Sequence, residues 1–137
     1  MAPKTGIFSG RGRVVRKESR AGKDILILDI IYYFVGPLSG TLTYPDKLEE
    51  VIIDPETKRG TYSLTGRFDG KCKGKSAINM SAGDSGHVDL TTKPHPTWTG
   101  YWMMRHDHSL QLEGTIKGAL TFKSETDFVV GGNYTVA

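Results

Sequence analysis

Apolar and polar residues alternate with a period of two along much of this chain, which is the pattern of β-strands with one face toward an apolar interior. The two clearest runs span residues 61–75 and 109–123, in which every second residue is apolar or glycine. Both runs exceed the usual strand length of about five or six residues. Glycines on their apolar faces are points where a long strand can bend. Long, bent strands of this kind favour a closed barrel over a flat sheet.

Shorter segments of the same character complete the predicted sheet. Strand candidates rich in Val, Ile, Thr, Tyr and Phe lie near residues 7–18, 24–35, 38–44, 48–54, 97–105 and 127–136. Clusters of Gly, Pro, Asn and Asp separate them, and no window of a dozen residues carries a helical stripe. Residues 82–97, with two glycines and two prolines, are predicted to be the longest irregular stretch. We therefore predict one all-β domain over residues 1–137, a single closed antiparallel barrel of about eight strands.

The strand candidate at residues 24–35 is apolar on both faces, interrupted only by Asp29. A barrel strand of a monomer exposes one face to water, so a second apolar face indicates that something covers it. A second subunit would do so, which predicts a homodimer or another homo-oligomer. The alternative is that the amino-terminal segment folds over this face.

Composition and charge narrow the class of protein. The 137 residues have a net charge of +3, but residues 1–23 hold seven basic side chains against one acid. An amphipathic strand with solvated Lys and Arg is the favoured interpretation of this basic arm over a nucleic-acid contact, because no aromatic platform accompanies it. The chain lacks an apolar run of 18 residues and an amino-terminal apolar core, and it has one cysteine, Cys72. We therefore expect a cytoplasmic protein that does not bind membranes.

A series of glycines and apolar positions resembles the allene oxide cyclase-like barrel superfamily, in particular a small uncharacterised branch of it. The matching stretches are Leu38-Ser39-Gly40, residues 61–74, Gly86, residues 98–102, residues 112–120 and Gly132-Asn133-Tyr134. They cover about residues 36–136. The resemblance implies a calycin-like or allene oxide cyclase-like barrel with a mostly apolar cavity, in which some members cyclise or isomerise polyunsaturated substrates.

Two acids are candidates for proton transfer. Asp29 interrupts an apolar run, so it faces either the barrel cavity or a subunit interface, where desolvation would raise its carboxyl pKa. Glu50 stands beside Val51, Ile52 and Ile53 and has the same ambiguity. The structural alternative for each is a pairing with a backbone N–H, an Arg or a Tyr hydroxyl.

Aromatic residues and methionine are the candidates for contacting a ligand. A cavity lined by such side chains would hold a flat or polyene-like ligand by dispersion and shape. The predicted substrate-binding residues are Tyr33, Tyr62, Trp98, Trp102 and Met104. A barrel of eight strands can equally be filled by its own side chains, and then these residues would only pack.

His106 and His108 are two residues apart, so on a strand both imidazoles would point to one side, as in half of a metal site. A solvated hairpin tip is the favoured interpretation, and no metal or other cofactor is predicted. The sequence therefore leads to two functional hypotheses. The first is a small-molecule-binding barrel, with cyclase or isomerase activity if it is an enzyme. The second is a filled, non-catalytic barrel that acts as an oligomeric interaction module.

Overall fold

The computed structural model describes residues 4–43, 49–72, 74–106 and 110–137, and within them the chain is all-β, as predicted. The strands in this part of the chain are β1 (Lys4–Arg20), β2 (Lys23–Val35), β3 (Leu38–Thr43), β4 (Glu49–Ile53), β5 (Arg59–Cys72), β6 (Lys75–Asp89), β7 (Thr97–His106), β8 (Leu110–Phe122) and β9 (Asp127–Val136). They form one antiparallel sheet.

The strand pairings close a ring. Its order is β1-β9-β8-β7-β6-β5-β3-β2, and β2 pairs back with β1. β4 pairs with the same two strands as β3, but at another level. On β2, β3 contacts residues 32–34, whereas β4 contacts residues 24–28. β3 and β4 therefore share one position, and the ring runs through eight of the nine described strands.

The two ends of the ring differ in how they are filled. We call the end that β3 completes the packed end and the end that β4 completes the open end. The largest fully buried side chains of the packed end are Leu38, Phe68, Met80, Met104 and Tyr134. The Tyr134 hydroxyl accepts a hydrogen bond from the Leu38 N–H at 2.9 Å and can donate to the Val35 carbonyl oxygen, also at 2.9 Å. This hydroxyl ties the turn between β2 and β3 to β9.

The prediction of an irregular stretch at residues 82–97 was wrong for its first half. Residues 82–89 belong to β6, which pairs with β5 along one edge and β7 along the other. Its inward positions here are Ala82, Asp84, Gly86 and Val88, and only the last is a large apolar residue. Because this inner face carries small and polar residues, apolar and polar positions do not alternate clearly here. The glycines were therefore interpreted as part of a loop.

The amino-terminal half of β2 is buried on both faces. Ile25 and Ile27 face outward, yet each is only 3% exposed. Arg20 of β1 reaches across β2, where its guanidinium lies 2.7 Å from the Glu18 carboxylate and 3.1 Å from that of Glu50 on β4. This ion-pair network joins β1 to β4, the strands on either side of β2, and what covers the outer face of Ile25 and Ile27 stays a prediction. Near the packed end the same outer face remains exposed, with Ile7 and Val35 in register.

Candidate functional site

An apolar cavity occupies the open end. Its volume is about 60 Å³. The residues that line it are Val14, Leu26, Leu28, Ile30, Tyr32, Val51, Ile53, Tyr62, Val88, Leu90, Trp98, Leu120, Phe122 and Phe128. Among these described residues none is charged. Leu26, Leu90 and the 48%-exposed Phe122 are the more accessible members, so the cavity opens to solvent between them.

Trp98 stands at the centre of the aromatic part of the wall. It is on β7, in register with Val88 of β6 and Gly118 of β8. Its ring centroid lies 5.6 Å from that of Phe8, 5.4 Å from that of Tyr32 and 5.9 Å from that of Tyr62. These are the edge-to-face and tilted geometries that aromatic rings prefer. The indole is therefore held rigidly by neighbours on three strands.

The indole N–H of Trp98 has no hydrogen-bond acceptor among the described residues, although the nitrogen is buried. Trp102, four residues later on the same face of β7, differs. Its Nε1 lies 3.0 Å from the carbonyl oxygen of Thr135 and 3.2 Å from that of Thr115. A buried donor without an acceptor costs about 1–3 kcal/mol, and buried Trp N–H groups usually find a partner. The Trp98 N–H is thus a buried donor that no acceptor in the described structure satisfies.

Asp84 of β6 is a buried carboxyl group between the cavity and the packed end. It is 5% exposed and is the only buried charged residue in the described part of the chain. The Tyr62 hydroxyl donates a hydrogen bond to it, with 3.1 Å between the oxygens. Burial raises the pKa of Asp84 to about 7, and the Tyr62 hydrogen bond opposes that rise only in part.

Gly100 makes room for the contact between Tyr62 and Asp84. Tyr62 on β5 is in register with Gly86 on β6, which is in register with Gly100 on β7. A Cβ atom at Gly100 would overlap the Tyr62 hydroxyl and lie 3.0 Å from the Asp84 carboxylate. Because Gly100 has no side chain, the Tyr62 hydroxyl can occupy the inner surface of the sheet beside Asp84, whereas Gly86 allows the close approach of the β7 backbone.

The predicted ligand-contacting residues are divided between three places. Tyr62 and Trp98 line the cavity. Trp102 and Met104 are buried further along β7, toward the packed end, outside the cavity lining. Tyr33 faces outward and is 37% exposed, so its predicted contact with an interior ligand is not possible from this position.

Neither predicted acid faces the interior. Asp29 is exposed on the outer face of β2, because Leu28 and Ile30 on either side of it point inward. Of the two places predicted for Asp29, the structure excludes the cavity, and a subunit interface on the outer face stays a prediction. Glu50 is also exposed and pairs with Arg20, which is the structural alternative considered for it. The acid that does face the interior, Asp84, was missed, because its strand was interpreted as a loop. The alternation Ala82, Asp84, Gly86, Val88 was the available signal.

The metal hypothesis rests on residues that the structure does not describe. His108 and the side chain of His106 lie outside the described residues. Among the residues that are described, no group of three or more His, Cys, Asp or Glu side chains could hold a metal ion.

No protein-family profile, curated protein sequence or solved structure matches this chain. In the described ranges, no helix has the length and apolar character needed to span a membrane.

Proposed function

We propose that this chain is a cytoplasmic, small-molecule-binding barrel of the allene oxide cyclase-like type, and that its ligand occupies the cavity of the open end. The ligand would be a neutral, largely apolar molecule with one hydrogen-bond acceptor. The observation that carries this proposal is the apolar cavity walled by Trp98, an indole whose buried N–H has no acceptor among the described residues. A carbonyl oxygen of a ligand would satisfy it.

The size of the cavity limits the ligand. Drug-sized ligands occupy pockets of about 300–1,000 Å³, and an engineered cavity of about 150 Å³ holds benzene. The 60 Å³ here suits a few non-hydrogen atoms, with any remainder extending past Leu26, Leu90 and Phe122. Folding a whole polyene inside would need more space. We therefore propose binding of a small molecule, or of the small end of a longer one, rather than cyclisation.

The charges around the mouth favour a neutral ligand. Ion pairs on the bordering strands join Lys23 to Asp54 at 3.0 Å and Arg59 to Asp89 at 3.3 Å. A third joins Arg13 to Asp127 at 3.0 Å. Because each pair balances its own charges, the mouth offers little net attraction to an anion or a cation.

An NMR titration with two isosteric probes tests this function. Cyclopentanone and methylenecyclopentane have the same shape, but only the ketone has a hydrogen-bond acceptor. We expect both to shift the backbone amides of residues 88–90, 97–99 and 120–122 saturably and to leave those near Leu38 and Phe68 unchanged. The ketone loses hydration on entry, so we expect it to bind well only where a donor replaces that water.

The matched variants are Trp98→Phe and Trp102→Phe. Both keep an aromatic ring and lose an indole N–H. Trp98→Phe should lower the ratio of ketone affinity to alkene affinity by about fivefold or more, the worth of one hydrogen bond. Trp102→Phe, whose indole already bonds to carbonyls, should leave the ratio unchanged. Absence of saturable shifts with both probes would overturn the proposal.

We also propose that the chain forms a homodimer through the outer face of β1 and β2 near the packed end. Ile7 and Val35 lie side by side there and are 64% and 67% exposed, and Tyr33 lies on the same face. This is the surface an interaction module would use. Light scattering should give twice the chain mass for the wild type and the chain mass for Ile7→Lys. A wild type that is monomeric at 100 μM would contradict the dimer.

A further inference from the structure

We infer that the outer face of β1 and β2 pairs with a second copy of itself in one fixed orientation, in which β1 of one subunit lies over β2 of the other and Arg11 forms an ion pair with Asp29 of the partner subunit. This inference rests on the proposed homodimer. It adds the orientation of the two subunits and the charged contacts that select that orientation.

The first step of the argument is the position of the exposed apolar residues in the register of the two strands. Ile7 on β1 lies opposite Val35 on β2, and the two are 64% and 67% exposed. Ser9 lies opposite Tyr33 in the next outward pair. A twofold axis that runs along the strands, between β1 and β2, exchanges the two strands at every level. Such an axis packs Ile7 on the partner's Val35, and Val35 on the partner's Ile7, so that the most exposed apolar side chains of this face cover each other.

The second step is a pair of opposite charges on the same face. Arg11 is exposed and lies opposite apolar residues of β2 and β9, so no acid is in register with it. Arg13 lies opposite both Asp29 and Asp127, and its guanidinium bonds to Asp127 at 3.0 Å, which leaves Asp29 exposed. Within the described ranges, neither Arg11 nor Asp29 forms an ion pair. The face thus carries one unpaired charge of each sign.

The third step is the space around these two charges. Arg11 and Asp29 line one groove of the outer face, which has a volume of about 650 Å³ and includes Ile31 in its wall. Lys123 also borders the groove, but β9 lies between that residue and β1. The axis between β1 and β2 carries Arg11 over the partner's Ile31, one outward position from the partner's Asp29. Stacked sheets lie about 10 Å apart, a distance that two outward side chains bridge together.

The fourth step is the cost of covering an unpaired charge. A dimer through this face removes water from Arg11 and Asp29, which is unfavourable unless each lies beside an opposite charge. Because the face carries one charge of each sign, a twofold copy supplies both partners at once. Two ion pairs between the subunits then form in each dimer, whereas a shifted or rotated copy leaves these charges unpaired. The charges therefore select the orientation, and the apolar residues supply the contact area.

Two charge-reversed variants, measured separately and then mixed, test the inference. Arg11→Glu places two acids on the face and Asp29→Lys places two cations there, so each variant should dimerise at least about tenfold more weakly than the wild type. An equimolar mixture should form a heterodimer about as readily as the wild type dimerises, because each acid then faces a cation. Native mass spectrometry distinguishes the heterodimer from both homodimers by mass. Arg105→Glu is the matched control, since Arg105 is exposed on β7 across the ring, and it should dimerise like the wild type.

The mixture separates a contact between subunits from a contact within one chain. If Arg11 and Asp29 interact only within their own chain, mixing the two variants restores no dimer, and that outcome would overturn the inferred orientation while leaving the homodimer intact. Dimerisation of both variants as strong as that of the wild type would have the same meaning. A monomeric wild type would overturn the homodimer, and the orientation with it.

Discussion

The two ends of the ring differ in whether their buried hydrogen-bond donors have acceptors within the chain. At the packed end, buried donors meet acceptors supplied by the chain, as when Trp102 bonds to two backbone carbonyls and the Tyr134 hydroxyl bonds to Leu38. At the open end, Trp98 belongs to the same strand and face but has no acceptor in the described structure. Side chains fill the first end and leave a cavity of about 60 Å³ at the second. From this difference we predict that the packed end contributes more to stability and that the open end is the proposed ligand site.

Replacing a phenylalanine of the packed end by alanine should lower the free energy of unfolding most, and the same replacement at the open end should lower it much less. Phe68→Ala deletes a fully buried ring at the packed end and should lower the free energy of unfolding by about 3–5 kcal/mol. Phe122→Ala deletes a half-exposed ring at the rim of the cavity and should cost about 1 kcal/mol. Urea unfolding of both variants measures the difference. Equal losses would mean that the two ends contribute alike to stability.

Asp84→Asn should stabilise the protein at high pH. The folded-state pKa of about 7 compares with about 3.9 in an unfolded chain, so the folded state retains a proton that the unfolded state has released. The contribution of Asp84 to stability therefore falls as the pH rises from about 4 to about 7, by up to about 4 kcal/mol. Asn does not ionise, and the variant should exceed the wild type by about 2–4 kcal/mol at pH 8.

At pH 4, where Asp84 is protonated in the folded state, the variant and the wild type should have nearly equal free energies of unfolding. The other titrating groups are the same in both proteins. The difference between their free energies of unfolding at each pH therefore reports on Asp84 alone. A gain of the same size at both pH values would show that Asp84 is ionised or neutral throughout, contrary to its environment.

The two tryptophans should differ slightly in how much their replacement by phenylalanine lowers the free energy of unfolding. Trp102→Phe leaves the carbonyl oxygens of Thr115 and Thr135 without the indole donor, whereas Trp98→Phe removes a donor that had no acceptor in the described residues. Both substitutions remove the same atoms. Trp102→Phe should therefore cost about 1–2 kcal/mol more, measured by thermal or urea unfolding. The reverse order would place a protein acceptor at Trp98.

The period-two pattern predicted the strands well because it depends on local residues. It placed Tyr62 and Trp98 on inward faces, and both line the cavity. It could not assign the faces of β2, where Ile25 and Ile27 are as apolar as Leu26 and Leu28. Only the closed sheet determines which face is inward: Leu28 and Ile30 line the cavity, and Asp29 between them is exposed.

Asp84 shows the other limit of sequence reasoning. On its strand Gly86 is bare where the backbone of Thr99 and Gly100 approaches, and the Tyr62 hydroxyl occupies the space above Gly100 on the next strand. These contacts come from other strands, so the alternation at residues 82–89 could indicate a strand but not why its inner face is small and polar. Site residues were therefore predictable on strands whose inner face is apolar. They were not predicted on β6, where the inner face is small and polar.

The indole region of a ¹H–¹⁵N spectrum tests the proposed ligand site at the open end, because the chain has two tryptophans and one lies at each end. We predict a downfield signal for the hydrogen-bonded Trp102 and an upfield signal for Trp98, assigned with Trp98→Phe. Cyclopentanone should move the Trp98 signal downfield and saturate, methylenecyclopentane should not give that downfield shift, and Trp102 should stay in place. A Trp98 signal that is already downfield in the free protein, or that ignores the ketone, would contradict a ligand site at the open end.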